Sequence, residues 1–404
     1  MKVRFAIFSL LVCLIPSVQA QRPAGARPPA TVRSPEVAPD RTVTFRLRAP
    51  AATEVTLTGE FMKGSKPLQK DADGVWSVTV GPLAPEIYNY NFTIDGVRSI
   101  DPGNPNVKTG STASTIASIL EVPGAGPAFY DAHRVPHGEI RTHWYESKSL
   151  KMTRRLTVYT PPGYDRNRST RYPVLYLLHG ANADERAWTT LGRVNLILDN
   201  LLADSKIKPF VVVMPFGYGT PPGTPRAIRP SPLQYTVIDG GGRDQSVENR
   251  RASRPSTGFT DVVTEFSSDL LGDVIPFIDA NYRVYSDRDH RAIAGLSMGG
   301  LESLEIGLNH LELFSYVAGF SAAVRPPEFQ KAFASLTADP QSSNRKLHLL
   351  WIGCGTDDSL FPSSQAFTKF LEEAKVKYKF YSVPGAHTWI VWRQFLKEVA
   401  PQLF

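Results

Sequence analysis

Cysteine is nearly absent from this chain: its 404 residues hold two, Cys13 and Cys354. With Cys13 in a leading apolar run, no disulfide framework can staple the fold, so stability has to come from a large apolar core. Cys354 continues the run LHLLWIGC and reads as a small core residue rather than a nucleophile. Long apolar runs are lacking too, so no membrane span is expected. Residues 1–20, MKVRFAIFSLLVCLIPSVQA, carry two early cations, a short apolar run and Val18-Gln19-Ala20 before Gln21. That is the pattern of a cleavable signal peptide, and it places the mature chain outside the cytoplasm, secreted or periplasmic. Nor is charge concentrated in one place: the net +7 falls to +5 when Lys2 and Arg4 leave, and the remaining cations are scattered. No nucleic-acid partner is expected from such a surface. With no H-E-x-x-H, no cysteine pair and no phosphate or dinucleotide loop, neither a metal nor another cofactor is called for.

What is present divides the chain. Residues 21–40, QRPAGARPPATVRSPEVAPD, are rich in Pro, Ala and Arg and read as an extended tether. Over 41–123 the runs TVTFRL, EVTLTG, VWSVTV and YNYNFTI alternate apolar with polar between turn signals, which predicts a small all-β immunoglobulin-like sandwich. Trp76, in step with Val78 and Val80, belongs to its core. Residues 124–136 serve as a linker. From 137 to 404 apolar strands such as PVLYLLHG, PFVVVMPF, RAIAGLS and LHLLWIGC alternate with amphipathic helical segments. This texture predicts an α/β domain with a doubly wound, mostly parallel sheet buried on both faces.

Within that domain AGLSMGG crowds Ser297 with Gly295, Gly299 and Gly300. A buried strand before it and the helical MGGLESLEIGLNH after it make this a nucleophile elbow, the sharp turn of an α/β-hydrolase that holds a serine oxygen above the sheet. A serine hydroxyl needs a base, and the base an acid to orient it. Three histidines follow: His310 ends the elbow helix and His348 lies in a strand, which leaves His387, in VPGAHTW after the last strand, as the base. The acid comes from WIGCGTDDSL, with Asp358 first choice and Asp357 second. Oxyanion donors are the N–H groups of Met298 and of Ala181, the latter beside Gly180 in the loop after YLLHG. His179 is either a support for that loop or a turn residue.

Two resemblances add to this reading. TGEF, DGVWSVTV, YNYNFTIDGV and DPGNPN resemble early-set modules related to the glycogen-binding modules of branching enzymes. The two sugar-stacking tryptophans of those modules fall here on Gly64 and Arg98, so the sandwich reads as a spacer or a lid. Over residues 135–404, VPHG, RRLTVYTPPGY, YPVLYLLHG, DRDHRAIAGLSMGG, CGTDDSL and GAHTWIVW resemble the esterase D superfamily, most closely the feruloyl and acetyl xylan esterases of carbohydrate esterase family one. The resemblance implies a Ser297-Asp358-His387 triad and an ester-bearing saccharide or polysaccharide as substrate, feruloyl ahead of acetyl. Its rivals are a siderophore esterase of the enterobactin type and a glycan-binding protein with an idle hydrolase domain. The long connection 217–260 is expected to rim the pocket, with Tyr218, Tyr235 and Phe259 as candidate aromatic contacts, while Trp389 and Trp392 pack beneath the sheet end or, for Trp389, line the site.

Overall fold

Strict alternation in the first domain translates into two facing sheets. The computed structural model describes residues 32–108, 116–218 and 259–404. One sheet has the order β1 (Glu36–Val37), β2 (Val43–Arg48), β6 (Val75–Val80), β5 (Gln69–Lys70). The other runs β4 (Ser65–Pro67), β3 (Val55–Gly59), β7 (Glu86–Ile94), β10 (Ala117–Val122), β9 (Val107–Lys108), with β8 (Val97–Ser99) alongside β7. Val43, Phe45 and Leu47 point inward from β2 and meet Leu57, Tyr88, Tyr90 and Phe92 from the facing sheet. Each such side chain contributes on the order of 2 kcal/mol by leaving water. Trp76 joins this core, its indole N–H donating to the Ala49 carbonyl at 2.9 Å.

The tether ends earlier than expected. Residues 36–37 pair with β2, and the buried Ser34 donates its hydroxyl to Asp101 at 2.5 Å while accepting from the Arg46 N–H at 3.0 Å. Ser34 and Glu36–Val37 therefore belong to the sandwich. The expected signal peptide and the expected tether up to residue 31 lie outside the described residues.

The second domain is an eight-stranded sheet. Its order is β11 (Glu139–Ser147), β12 (Met152–Thr160), β14 (Val211–Pro215), β13 (Val174–Leu178), β15 (Arg291–Leu296), β16 (Tyr316–Phe320), β17 (Leu349–Gly355), β18 (Lys379–Val383). The pairs β11/β12 and β12/β14 are antiparallel, and all others are parallel. Neighbouring residues go to opposite cores: Val174 and Tyr176 to one, Leu175 and Leu177 to the other. Helices Phe259–Asp269, Met298–Asn309 and Phe361–Glu373 cover the first face, Val194–Ala203 and Trp389–Val399 the second. The helical run FSSDLLGDVIPFIDANY, residues 266–282, is interrupted by a π turn at Leu270–Val274, just before Pro276. A proline cannot donate to the carbonyl one turn back, and the wider turn absorbs the missing bond. No helix among the described residues is long and apolar enough to cross a membrane.

The sandwich is not a free spacer. Ile87 of β7 and Tyr130 of the linker segment are buried in the second hydrolase core. The buried Arg393 guanidinium donates to Glu86 at 2.5 Å and to the Leu191 carbonyl at 2.8 Å, and lies over the Tyr130 ring. Arg193 adds an ion pair to Glu121 at 2.6 Å. Linker residues 124–136 are likewise held, since Asn200 donates to the carbonyls of Phe129 and Asp131.

Candidate active site

The parallel strands β13, β15, β16 and β17 end on one side of the sheet, and the candidate residues follow them. At the end of β15 the chain turns through Ser297, whose φ of 55° and ψ of −115° lie in a region that a side chain disfavours. The turn is held by Ser297 N–H to the Phe320 carbonyl at 2.8 Å and by Ala323 N–H to the Ser297 carbonyl at 3.2 Å. Glycine is required on both sides of it. A Cβ on Gly295 would lie 2.3 Å from the Gly299 oxygen, and one on Gly299 would lie 2.4 Å from the His179 oxygen. Helix Met298–Asn309 starts immediately, so its first N–H groups are aimed at whatever faces Ser297.

His387 follows β18. Its Nδ1 is 2.7 Å from Asp358 Oδ2, and the other Asp358 oxygen accepts the Leu360 N–H at 2.9 Å. Burial pushes the Asp358 carboxyl up, but the hydrogen bonds from His387, the Leu360 N–H and Ser321 outweigh it and hold the acid below the usual carboxylate range. An ionised Asp358 keeps the His387 proton on Nδ1 and leaves Nε2 as an acceptor. Asp357 turns elsewhere: its carboxylate accepts the Gly385 N–H at 3.1 Å. His387 packs edge-on to Trp392 with centroids 4.8 Å apart. His310 bonds to Glu312, while His348, one residue before β17, stacks on Tyr316 and bonds to Asp289; neither lines the cavity described next.

Ser297 and His387 share the lining of a cavity of about 180 Å³ with Gly180, Ala181, Trp389 and Trp392. No direct hydrogen bond joins their side chains, and such contacts commonly tighten only when substrate fills the site. The N–H groups of Met298 and Ala181 have no hydrogen-bond acceptor among the described residues. Gly180 is needed where it stands, because a Cβ there would meet Leu296 Cδ1 at 2.6 Å and Ser297 Cβ at 3.3 Å. Trp389 is 5% exposed, edge-on to Trp188 and Trp392, and presents what remains to the cavity.

His179 and Tyr218 act on the Gly180–Asn182 loop. His179 donates from Nδ1 to the Gly180 carbonyl at 2.8 Å and accepts the Gly217 N–H on Nε2 at 2.9 Å. Burial pulls its pKa down, which keeps it neutral and suits this tautomer. Tyr218 accepts the Asn182 N–H on its hydroxyl, and burial pushes that phenol up to about 12. Tyr218, expected to contact substrate, has its hydroxyl committed to the loop. Tyr235 lies outside the described residues, and Phe259 opens a helix.

Sequence patterns did not single out several neighbours. Arg154, 1% exposed on β12, pairs with Asp269 at 3.1 Å and donates to the Phe216 and Tyr218 carbonyls. An arginine interrupting a buried strand was the available signal. Glu302, one turn into the elbow helix, is wholly buried with neither oxygen partnered among the described residues, and burial holds its carboxyl well above the usual range. Glu60, Asn89 and Lys108 of the sandwich also reach the Ser297 cavity, which nothing local in their strands announces.

Known proteins share both domains. A family model described as putative esterase matches residues 147–222 and 233–403, and one described as carbohydrate-binding module 48 (isoamylase N-terminal domain) matches 30–109. An endo-1,4-beta-xylanase/feruloyl esterase of Xylanibacter ruminicola is 33% identical over 372 residues, covering 89% of this chain and 44% of that protein. The chain thus spans less than half the length of that relative. A solved ferulic acid esterase aligns at 26% identity with a TM-score of 0.51, covering 66% of this chain and 98% of that one. The enterobactin esterase of Shigella flexneri, at 19% identity and a TM-score of 0.61, covers 90% of this chain and 93% of its own, and shares the fold. With the elbow, the paired histidine and aspartate, and these matches, the chain belongs to the putative esterase family, and its first domain matches the carbohydrate-binding module 48 model.

Proposed function

We propose that this protein is an exported serine esterase that removes feruloyl groups from plant cell-wall polysaccharide. The observation that carries the reading is one cavity lined by a serine on a strained elbow and by a histidine backed by a buried carboxylate. In the first half-reaction Ser297 Oγ bonds to the ester carbonyl carbon as its proton passes to His387 Nε2. Charge then gathers on the carbonyl oxygen, where the N–H groups of Met298 and Ala181 receive it. Collapse breaks the bond to the sugar oxygen, which leaves with the proton from His387. Water repeats the sequence: it gives a proton to His387 while its oxygen takes the acyl group, and Ser297 recovers its hydrogen. Asp358 stabilises the imidazolium each time and stays ionised throughout.

The feruloyl preference rests on the Xylanibacter relative and on the ferulic acid esterase. Export rests on the leading 20 residues. The test is release of ferulate from methyl ferulate and of acetate from acetylated xylan, side by side with Ser297→Ala. Serine-dependent ferulate release is the expected result. Acetate release alone moves the substrate to acetyl xylan, and activity only on a cyclic trilactone moves it to siderophores.

A further inference from the structure

The outer face of β7 changes character along its length. Tyr88, Tyr90 and Phe92 point into the sandwich core, while the alternate positions present Ile87, then Asn89, then Asn91. Ile87 is buried in the hydrolase core, Asn89 lines the Ser297 cavity, and Asn91 lines a second cavity of about 450 Å³. The strand is apolar where it is glued to the hydrolase domain and amide-bearing where it leaves it. The two cavities share Glu60, Asn89, Lys108 and Ala181, so they form one cleft that starts at Ser297 and runs between the domains as far as Arg98.

Two cations, Arg98 and Lys108, face one carboxylate, Glu60, in that cleft. Glu60 is held by Asn89, accepting its backbone N–H at 2.8 Å and its side-chain amide at 3.0 Å, and keeps its charge. Arg98 donates to the neutral Asn91 oxygen at 2.5 Å. Among the described residues neither Arg98 nor Lys108 forms an ion pair. Burial draws the Lys108 pKa down and the neighbouring Arg98 adds to this, while the Glu60 carboxylate in the same cleft offsets only part of it. Such a cation gains most from an anion that enters with the substrate. No aromatic plane stands at Gly64 or Arg98, so recognition here runs through charge and hydrogen bonds rather than stacking.

We propose that the cleft between the domains receives the saccharide on the alcohol side of the ester, and that Lys108 and Arg98 select a saccharide bearing a carboxylate, a uronate, over a neutral one. This inference rests on the esterase reading of Ser297 and assigns the sandwich a share in specificity. The Asn89 side-chain oxygen, left over by the bond of that amide to Glu60, offers an acceptor for sugar hydroxyls, Lys108 stands where the two cavities meet, and Arg98 stands at the far end, so that a carboxylate in the cleft would meet both cations. Charge-assisted contacts of this kind tighten binding without touching the reacting atoms.

The experiment compares the full chain with Lys108→Met and Arg98→Gln on three substrates: methyl ferulate, a feruloylated neutral xylo-oligosaccharide, and the same oligosaccharide carrying a glucuronate. The wild-type KM is expected to be about tenfold lower for the acidic oligosaccharide than for the neutral one, a factor that corresponds to one charge-assisted contact. Arg98→Gln, outside the Ser297 cavity, should raise the acidic KM toward the neutral value and leave kcat, the neutral KM and methyl ferulate turnover within about twofold, while Lys108→Met and the double variant should bring the acidic and neutral KM values together. Added salt should erode the acidic preference of the wild type and not that of the double variant. Parallel changes on the acidic and neutral substrates, or no change on either, would overturn the proposal. Absence of serine-dependent hydrolysis on all three substrates would instead overturn the esterase reading beneath it, and the methyl ferulate arm separates the two failures.

Discussion

The cavity at Ser297 has two walls of opposite construction. On the hydrolase side the groups that hold the reacting atoms in place are committed beforehand: Asp358 to His387 and Leu360, His179 to Gly180 and Gly217, Tyr218 to Asn182, with glycine wherever backbones press together. The sandwich side keeps open charge: Glu60 is bonded to Asn89 and Arg98 to Asn91, but neither Lys108 nor Arg98 forms an ion pair among the described residues. A wall whose groups are satisfied beforehand costs no reorganisation when charge develops, which is what bond-making requires. A wall with open charges gains only when a partner arrives, which is what discrimination requires. The same cleft therefore separates chemistry from selection between two domains.

The largest effects should come from the committed wall. Ser297→Ala is expected to lower kcat on methyl ferulate by about 10⁴-fold or more. Ser297→Gly should do the same yet raise thermal stability by about 1 kcal/mol, because glycine relieves the strained φ and ψ. Asp358→Asn is expected to cost about 10³-fold in kcat, while Asp357→Asn stays within a few-fold, a contrast that steady-state kinetics reads directly. A reversed order would exchange their roles.

The join between the walls comes next. Glu86→Ala strands the buried Arg393 and should lower stability by about 3 kcal/mol in urea unfolding. Removal of the sandwich should damage the hydrolase domain for the same reason, whereas a detachable spacer would leave its unfolding unchanged.

The smallest effect concerns pH. Burial, helped by Glu328, raises the Glu305 carboxyl to about 7. The native state then keeps a proton that the unfolded chain has lost, so stability falls as pH rises from the ordinary carboxylate range toward 7 and levels off above it. Glu305→Gln should remove this part of the slope and gain about 1 kcal/mol at pH 8, after allowance for partial exposure, as measured by denaturation at pH 5 and pH 8.

Much of this was legible in local pattern. RAIAGLS and MGGLESLEIGLNH each match strand β15 and the helix after it to within one residue, and YNYNFTI falls within β7. Period and glycine placement are properties of neighbouring residues, so sequence carries them. The choice of Asp358 over Asp357 was half legible: adjacent residues point apart, but which one meets His387 depends on the Gly355–Gly385 contact, where a Cβ on Gly355 would lie 2.2 Å from the Gly385 oxygen. The docking of the sandwich was not legible. Arg393 and Glu86 lie 307 positions apart, and a glutamate opening a strand looks like any solvated charge until its partner is known. The clamp of Tyr218 on Asn182 was hidden for the same reason, since a tyrosine entering a long polar connection resembles a pocket residue.

The most direct test of the central claim is peptide mass spectrometry after acid quench of the enzyme in the first turnovers of a feruloyl ester. The account predicts one feruloyl group on the peptide that contains Ser297, and none in Ser297→Ala. A feruloyl group on any other residue, or undiminished ferulate release by Ser297→Ala, would contradict it.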